Sequence, residues 1–262
     1  MAAPPAMAPL LLACTSGLRY IGGGSPLVLW NAVWCRRFAA SRGFVLRVER
    51  LHSWDMPVND AIALQRDLAK QVCIRPLPAN IRTVAGVDVG LRPQGRAAVI
   101  VLSFPELETI EVSRAEREIT FPYVPGLLSF REAPVITDAV EKLRTEPDVF
   151  MFDGHGIAHP RRLGIASHMG ILLNKPSVGC AKSRLVGHYE EPSEEAGSVS
   201  PLLDNGEIIG MAVRTRERVK PVFVSIGNMA DLDSAVRLVM ACGAGYRLPE
   251  PTRRAHSEAS KN

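Results

Sequence analysis

The 262-residue chain contains no Cys-x-x-Cys pair, which removes the commonest spacing for structural zinc or a dithiol redox centre. Its five cysteines, Cys14, Cys35, Cys73, Cys180 and Cys242, are odd in number and widely scattered. Without a disulfide framework, a reducing, cytoplasmic compartment is the expectation. Acidic side chains are missing altogether from residues 1–48, where the only charges are Arg19, Arg36, Arg37, Arg42 and Arg47 among Gly, Ala, Pro and Ser. Such a stretch does not read as a packed domain. Pro4, Pro5 and Pro9 argue against an early helix, and no basic start precedes an apolar core, as a secretory signal requires. The uncharged run from Tyr20 to Cys35 is interrupted by Gly22, Gly23, Gly24, Pro26 and Asn31, a poor composition for a membrane span. Residues 1–55 are therefore expected to be a dispensable leader or an over-extended start, with Met56 as initiator, in preference to a transit peptide. Residues 56–253 would form the working domain and 254–262 a polar, loose tail.

What is present is enough for a sizeable core, with 47% hydrophobic residues. A formal net charge of +4 and a pI near 8.9 are compatible with a phosphate-bearing partner and do not by themselves select one. Ile62, Leu64, Leu68 and Val72, interleaved with Arg, Asp and Lys, predict an amphipathic helix over residues 60–72, ended by Pro76 and Pro78. Three β-like runs follow, at 82–89, 96–104 and 107–119, with connections short enough for an antiparallel meander. Pro134 fits a first helical turn, and Val135, Ile136, Ala139, Val140 and Leu143 continue at helical spacing, so Glu132 is expected at that helix's entrance. A buried strand at 148–152 then lies parallel to an earlier one. Beyond it come a helix over 162–173, a strand over 176–181, a polar loop over 190–200, strands over 208–213 and 222–226, and a helix over 232–242 capped by Asp231. The predicted fold is α/β, a mixed sheet of three antiparallel strands followed by alternating helices and strands, flanked by helices.

Three carboxylates each follow an apolar stretch: Asp88 after Val84-Ala85-Gly86-Val87, Glu132 after the run from Tyr123 to Phe130, and Asp153 after Val149-Phe150-Met151-Phe152. Strand-end carboxylates can meet in one cleft, where two unit charges ~5 Å apart repel by roughly 3 kcal/mol at an effective dielectric of about 20. A cation must offset that repulsion, and oxygen-only ligands of this kind suit Mg²⁺ or Mn²⁺. The pattern suggests a metal-dependent nuclease. Each acid also has a plain alternative: Asp88 beginning the turn at Gly90, Asp153 forming an Asp-Gly turn, Glu132 pairing with Arg131. Gly154 and Gly156 would let a ligand approach closely. His155 and His159 are four apart, but Gly154, Gly156 and Pro160 disfavour the helix that zinc ligation would need. A loop is expected instead, in which His159, Arg161 and Arg162 face phosphate or base. Lys182, just past a strand, could touch a scissile phosphate. Tyr123, in Pro122-Tyr123-Val124-Pro125-Gly126, could stand outward as an aromatic wedge against an unstacked duplex.

Together these segments resemble the endonuclease V family, nucleases that incise beside deaminated purines. The likeness runs from about Ala61 to Arg253 and is densest in Asp153-Gly154-His155-Gly156-Ile157-Ala158-His159-Pro160-Arg161-Arg162-Leu163-Gly164. The resemblance implies a ribonuclease H-like fold. It implies Asp88, Glu132 and Asp153 as metal-binding acids for Mg²⁺, with Mn²⁺ as substitute, and Lys182 as a catalytic lysine. Tyr123 is implied as the wedge. Gly126, Leu128, Arg131, Gly154, His159 and Gly164 would contact DNA around a flipped base. The expected partner is DNA containing deoxyinosine or other deaminated bases, with inosine in RNA left open, acted on by a monomer away from any membrane. The expected reaction is a nick at the second phosphodiester bond 3′ to deoxyinosine, leaving a 5′-phosphate. One departure stands out. Where the family usually shows Gly-His after the strand ending at Gly227, this chain has Gly227-Asn228-Met229, and an amide cannot shuttle protons as an imidazole can. That leaves two rivals to the repair nuclease: a weakly active lesion-binding protein, and a resolvase or transposase-type nuclease acting on branched DNA.

Overall fold

The Val-rich run carrying Asp88 becomes the central strand of the molecule. In the computed structural model, which describes residues 46–91 and 94–261, β1 (Thr83–Gly90) pairs antiparallel with β2 (Gly95–Ser103), and β2 pairs antiparallel with β3 (Thr109–Arg117). On its other side β1 pairs in parallel with β4 (Val149–Phe152), which pairs in parallel with β5 (Ser177–Ala181). The sheet continues through β8 (Val222–Asn228), β7 (Glu207–Val213) and β6 (Val199–Asp204), all antiparallel to their neighbours. Among the described residues the strand order is β3-β2-β1-β4-β5-β8-β7-β6. This is the mixed sheet expected from the element pattern, in the ribonuclease H-like arrangement that the resemblance implies.

Alternation along β1 separates two cores. Ala85 and Val87 face a layer built from α2 (Leu128–Val140) and α3 (Ile165–Leu173), with Ala133, Ile136, Phe150, Phe152, Met169 and Leu172. Val84 faces the opposite layer of α4 (Leu232–Ala241) and α5 (Glu250–Ala259), with Ile100, Met151, Val178, Val224, Leu238 and Ala255. Because β4 is covered on both faces, all four of its residues are apolar and buried. α1 (Val58–Ala69) leans on α3 through Leu68, Leu163 and Ile171. Asp231 caps α4 as expected, its Oδ1 accepting from Ser234 N at 2.8 Å.

Four boundaries differ from the sequence reading, each for a packing reason. α2 begins at Leu128 and carries Pro134 inside it, so Glu132 lies within the helix and not at its entrance. An interior proline costs about 3 kcal/mol, offset here by complete burial of Leu127, Phe130, Ala133, Val135 and Ile136. β6 was not expected: the predicted polar loop takes in its first two residues and the rest were assigned no element, since of the six only Ser200 and Leu202 are buried. The tail expected to be loose is helix α5, packed on β1. Residues 46–55, assigned by sequence to the leader, lie against the body: Leu46 and Val48 are buried beside α2 and α3, and Glu49 N donates to Leu172 O at 2.7 Å. Residues 1–45 lie outside the described residues. No helix among the described residues is long and apolar enough to cross a membrane.

His52 of that segment meets His168 of α3, Nε2 to Nε2 at 2.8 Å, while His168 Nδ1 contacts Ser129 Oγ at 3.0 Å. Trp54 and Phe130 enclose the pair. Burial, then the neighbouring His52, lower the His168 pKa to about 3 from 6.5. The denatured chain takes up a proton near pH 6.5 while the folded chain refuses it, so stability present above pH 6.5 is lost as pH falls toward 3. The urea midpoint is therefore expected to drop between pH 7 and pH 5, and His168→Gln to flatten that dependence. An unchanged slope in the variant would exclude the buried pair as its cause.

Candidate active site

Asp88 points toward α5 because it shares the β1 face of Val84, Gly86 and Gly90. A Cβ on Gly86 would fall 1.9 Å from Pro251 O, and one on Gly90 2.6 Å from Ala259 O. Only glycine lets the backbone of α5 lie this close to the strand. The close approach brings His256 to the acid, with His256 Nδ1 at 2.6 Å from Asp88 Oδ2. Asp153 leaves the end of β4, where its amide donates to Val87 O at 3.0 Å. Its Oδ2 is buried and lies 2.5 Å from Lys182 Nζ without hydrogen-bond geometry. Lys182 Nζ also stands 3.3 Å from His256 Nδ1. One ligand atom each from Asp88, Asp153 and His256 fall within 4.8 Å of one another.

Glu132 enters from the α2 layer. Burial raises its pKa to about 8, and the charges of Asp88 and Asp153 add to that, partly offset by Arg131. Asp88 is also raised, by burial first and Asp153 second, against the pull of His256 and Lys182. Asp88 and Asp153 meet at the carboxyl end of β1 and β4, and the charges of both reach Glu132 on α2. His256 was missed, since the polar tail that carries it gave no sign of packing.

Beside the acids, Gly126 (φ +80°) turns the loop ahead of α2. Its carbonyl accepts from Gln65 Nε2 at 3.0 Å, His159 Nε2 at 2.9 Å and Arg161 Nη2 at 2.7 Å. His159 is buried, its pKa pushed down to about 4 by burial and then by Arg161. It is thus a neutral strut for the Gly126 loop and does not face phosphate. Arg162 is likewise occupied, paired with Asp204 and Glu207. His155 donates from Nε2 to Ser183 O at 2.9 Å, fixing the backbone next to Lys182. Gly154 and Gly164 are tight packing positions: a Cβ on Gly154 would fall 2.6 Å from Ile165 Cγ2, and one on Gly164 2.2 Å from His155 O. Tyr123 stands outward, 74% exposed, with Leu128 partly exposed nearby in sequence. Arg131 supports the wedge loop, donating to Phe121 O at 2.7 Å and lying 5.9 Å from the Tyr123 ring centre.

Asn228 lies at the other end of the sheet. It pairs with Ser177, the first residue of β5, four residues or about 13 Å from the end of that strand at Ala181. Its amide is buried and used on both sides, Oδ1 accepting from Cys73 N and Nδ2 donating to Gly170 O, both at 3.0 Å. The expectation that this residue weakens the acid cleft is corrected: the histidine that joins the acids is His256.

With this geometry in place, the chain was compared with known proteins. Residues 66–257 match the family described as Endonuclease V. An endonuclease V from Dehalococcoides mccartyi is 50% identical over 219 residues, covering 82% of this chain and 98% of that protein. The crystal structure of endonuclease V from Bacillus subtilis superposes with a TM-score of 0.77 at 37% identity, covering 81% of this chain and 95% of the other. A Ciona intestinalis endonuclease V variant, solved with a 23mer DNA containing an inosine followed by a ribo-adenosine, superposes with a TM-score of 0.67 at 28% identity, covering 77% of this chain and 95% of that one.

Placing a histidine at 228 is expected to harm folding and not to help the cleft. The larger ring must fit where Asn228 Cβ already lies 2.8 Å from the site a Cβ on Gly170 would take. Loss of one buried amide contact costs about 1–3 kcal/mol. Asn228→His should lower the thermal midpoint without raising any nuclease activity per folded molecule; a clear gain in activity would return residue 228 to the cleft.

Proposed function

This chain belongs to the endonuclease V family, and on that premise we propose that it is a Mg²⁺-dependent endonuclease of DNA repair. It nicks the second phosphodiester bond 3′ to deoxyinosine and leaves a 5′-phosphate. The observation that supports this most directly is the meeting of Asp88, Asp153 and His256 within 4.8 Å, with Glu132 beside them, its pKa raised to about 8 by burial first and then by the charges of Asp88 and Asp153. Acids crowded this way, one with a buried oxygen lacking a hydrogen bond, fit a divalent cation. A carboxylate-rich set with one imidazole suits Mg²⁺ or Mn²⁺. Asp88, Asp153, Glu132 and His256 are the residues that would hold it. When bound, the ion supplies Lewis-acid polarisation of the phosphate and a lowered pKa for the attacking water.

The remaining steps belong to the chain's own side chains. Lys182 neutralises charge that accumulates on the scissile phosphate. Tyr123 fills the gap left by the extruded nucleotide, offsetting an unstacking cost of a few kcal/mol. The Gly126 turn, locked by Gln65, His159 and Arg161, presents rigid backbone groups to the base edge. Base reading at that loop rests on hydrogen bonding and shape. Inosine in RNA can enter the same pocket. The lesion-binding alternative drew its case from Asn228, which is buried away from the acids.

Two outcomes test this reading. Asp88→Ala or Asp153→Ala should reduce nicking of an inosine duplex in Mg²⁺ by about 100-fold or more, the scale of losing a group that stabilises transition-state charge. Inosine-dependent gel shifts should persist; full cleavage by either variant refutes the metal assignment, and equal cutting of branched DNA without inosine favours the resolvase-type reading. Separately, Glu132 must surrender its proton for a cation to bind, so Mn²⁺ titrations should release protons between pH 6 and pH 8, with affinity rising across that window. Affinity independent of pH would remove Glu132 from the set.

A further inference from the structure

On the face of the sheet opposite the Gly126 loop, an aromatic ring and a guanidinium are held together next to Lys182. Tyr246 is 53% exposed, and Arg253 Cζ lies 4.4 Å from its ring centre. Arg253 is fixed edge-on by Glu250, Nε to Oε1 at 2.5 Å and Nη2 to Oε2 at 2.9 Å. The Glu250 side chain is only 3% exposed and is shared with Arg254, Nε to Oε2 at 2.6 Å. One carboxylate between two guanidiniums leaves a net positive charge. The loop carrying Tyr246 is tied to the site: Arg247 donates to Lys182 O, to Lys220 O at 2.8 Å and to Pro221 O at 2.9 Å.

The helix geometry turns this pair toward the acids. Residues 253 and 256 are three apart on α5 and share a flank. His256 on that flank reaches Asp88 and Lys182, whereas Arg254 and Glu258 turn the other way, to Thr109 and Arg114 of β3. The Gly126 loop lies with α1, α2 and α3, Tyr246 lies with α4 and α5, and the acids stand at the sheet end between them. This ordering has a direction once the reading under Proposed function is accepted. A strand whose damaged base sits at the Gly126 loop and whose cut lies 3′ of that base passes the acids and continues toward Tyr246.

We propose that Tyr246 and Arg253 form a stacking platform for nucleotides of the cut strand on the 3′ side of the incision. The exposed ring face offers base stacking without sequence preference, and the surplus positive charge of the Arg253–Glu250–Arg254 group offers a contact for phosphate. Neither residue touches the reacting atoms. Their effect falls on how tightly the substrate is held, not on the chemical step.

The test rests on that earlier reading and separates its failure from failure of the platform. The full chain, Tyr246→Ala and Tyr246→Phe are assayed in Mg²⁺ on two inosine duplexes with the same complement. In one the inosine strand has a long 3′ arm; in the other it ends one nucleotide beyond the incision. Tyr246→Ala should raise KM about tenfold on the long arm, the range of one lost base–aromatic stack, with kcat held. On the short arm it should match the unsubstituted protein, and Tyr246→Phe should behave as unsubstituted on both. A 5-iododeoxyuridine at the second nucleotide 3′ of the incision on the long arm should photocrosslink to Tyr246, read by mass spectrometry. Normal inosine-dependent nicking with no difference between arms, an equal KM rise on both arms, or a crosslink elsewhere overturns the platform alone. Absence of inosine-dependent nicking by the unsubstituted protein overturns both readings.

Discussion

Mutual repulsion among three carboxylates at the end of one sheet is the constraint to which the rest of the molecule answers. Asp88 and Asp153 come from adjacent parallel strands, so their separation is set by the sheet and cannot relax. Glu132 is brought against them by α2 from the other layer. Lys182 pairs with Asp153 and His256 hydrogen-bonds Asp88, while burial first, and then the charges of Asp88 and Asp153, raises the Glu132 pKa to about 8. Without a further cation, one acid stays neutral at physiological pH. A divalent ion changes that balance, which is why the same crowding that strains the fold equips the cleft for phosphate chemistry.

Holding such a cluster requires rigid surroundings on both faces. On one face, glycines in β1 allow backbone contact with α5, and the Arg114–Glu258 ion pair together with a hydrogen bond from Arg254 to Thr109 Oγ1 fastens the helix laterally. Surface ion pairs contribute little on their own; here the close strand–helix contact sets the position and the pairs select orientation. On the other face, the loop before α2 is locked by three donors converging on a single carbonyl at Gly126. Buried and neutral, His159 can serve that function without adding repulsion beside Arg161. Arg161 and Arg162, which follow in sequence, also bond within the fold, Arg161 to Gln65 and Gly126 O and Arg162 to Asp204 and Glu207.

The platform and the wedge stand on opposite layers, each an exposed tyrosine with an arginine over its ring. In each case the arginine is anchored by a second contact, to Phe121 O or to buried Glu250. An aromatic held this way loses little further freedom on stacking with a base, which favours binding. The arrangement would grip a nucleic-acid strand on either side of the acids.

Asp88, Asp153 and Lys182 were legible because a charge ending an apolar strand is costly unless it has a partner, and Glu132 because a carboxylate follows an apolar run; the pattern of runs gave a mixed sheet whose strand ends could meet. The helix over 58–69, the meander, the parallel β4 and the cap at Asp231 followed from periodicity and turn chemistry. By contrast α5 buries Glu250, Pro251, Thr252, Ala255 and Ala259, small or polar side chains with no apolar stripe to announce a packed helix. His256 therefore remained hidden until the chain closed a loop of 168 residues back to Asp88. Asn228 was misjudged for a related reason, since a motif position does not say which end of a sheet it occupies; pairing with Ser177 decided that. The sequence by itself determined the kinds of element and the acids that follow apolar runs, because local periodicity and the cost of an unpaired charge are properties of short segments. Only the tertiary structure decided which histidine joins those acids and which polar residues are spent on packing, because strand register and helix docking are settled by contacts between segments far apart in the chain.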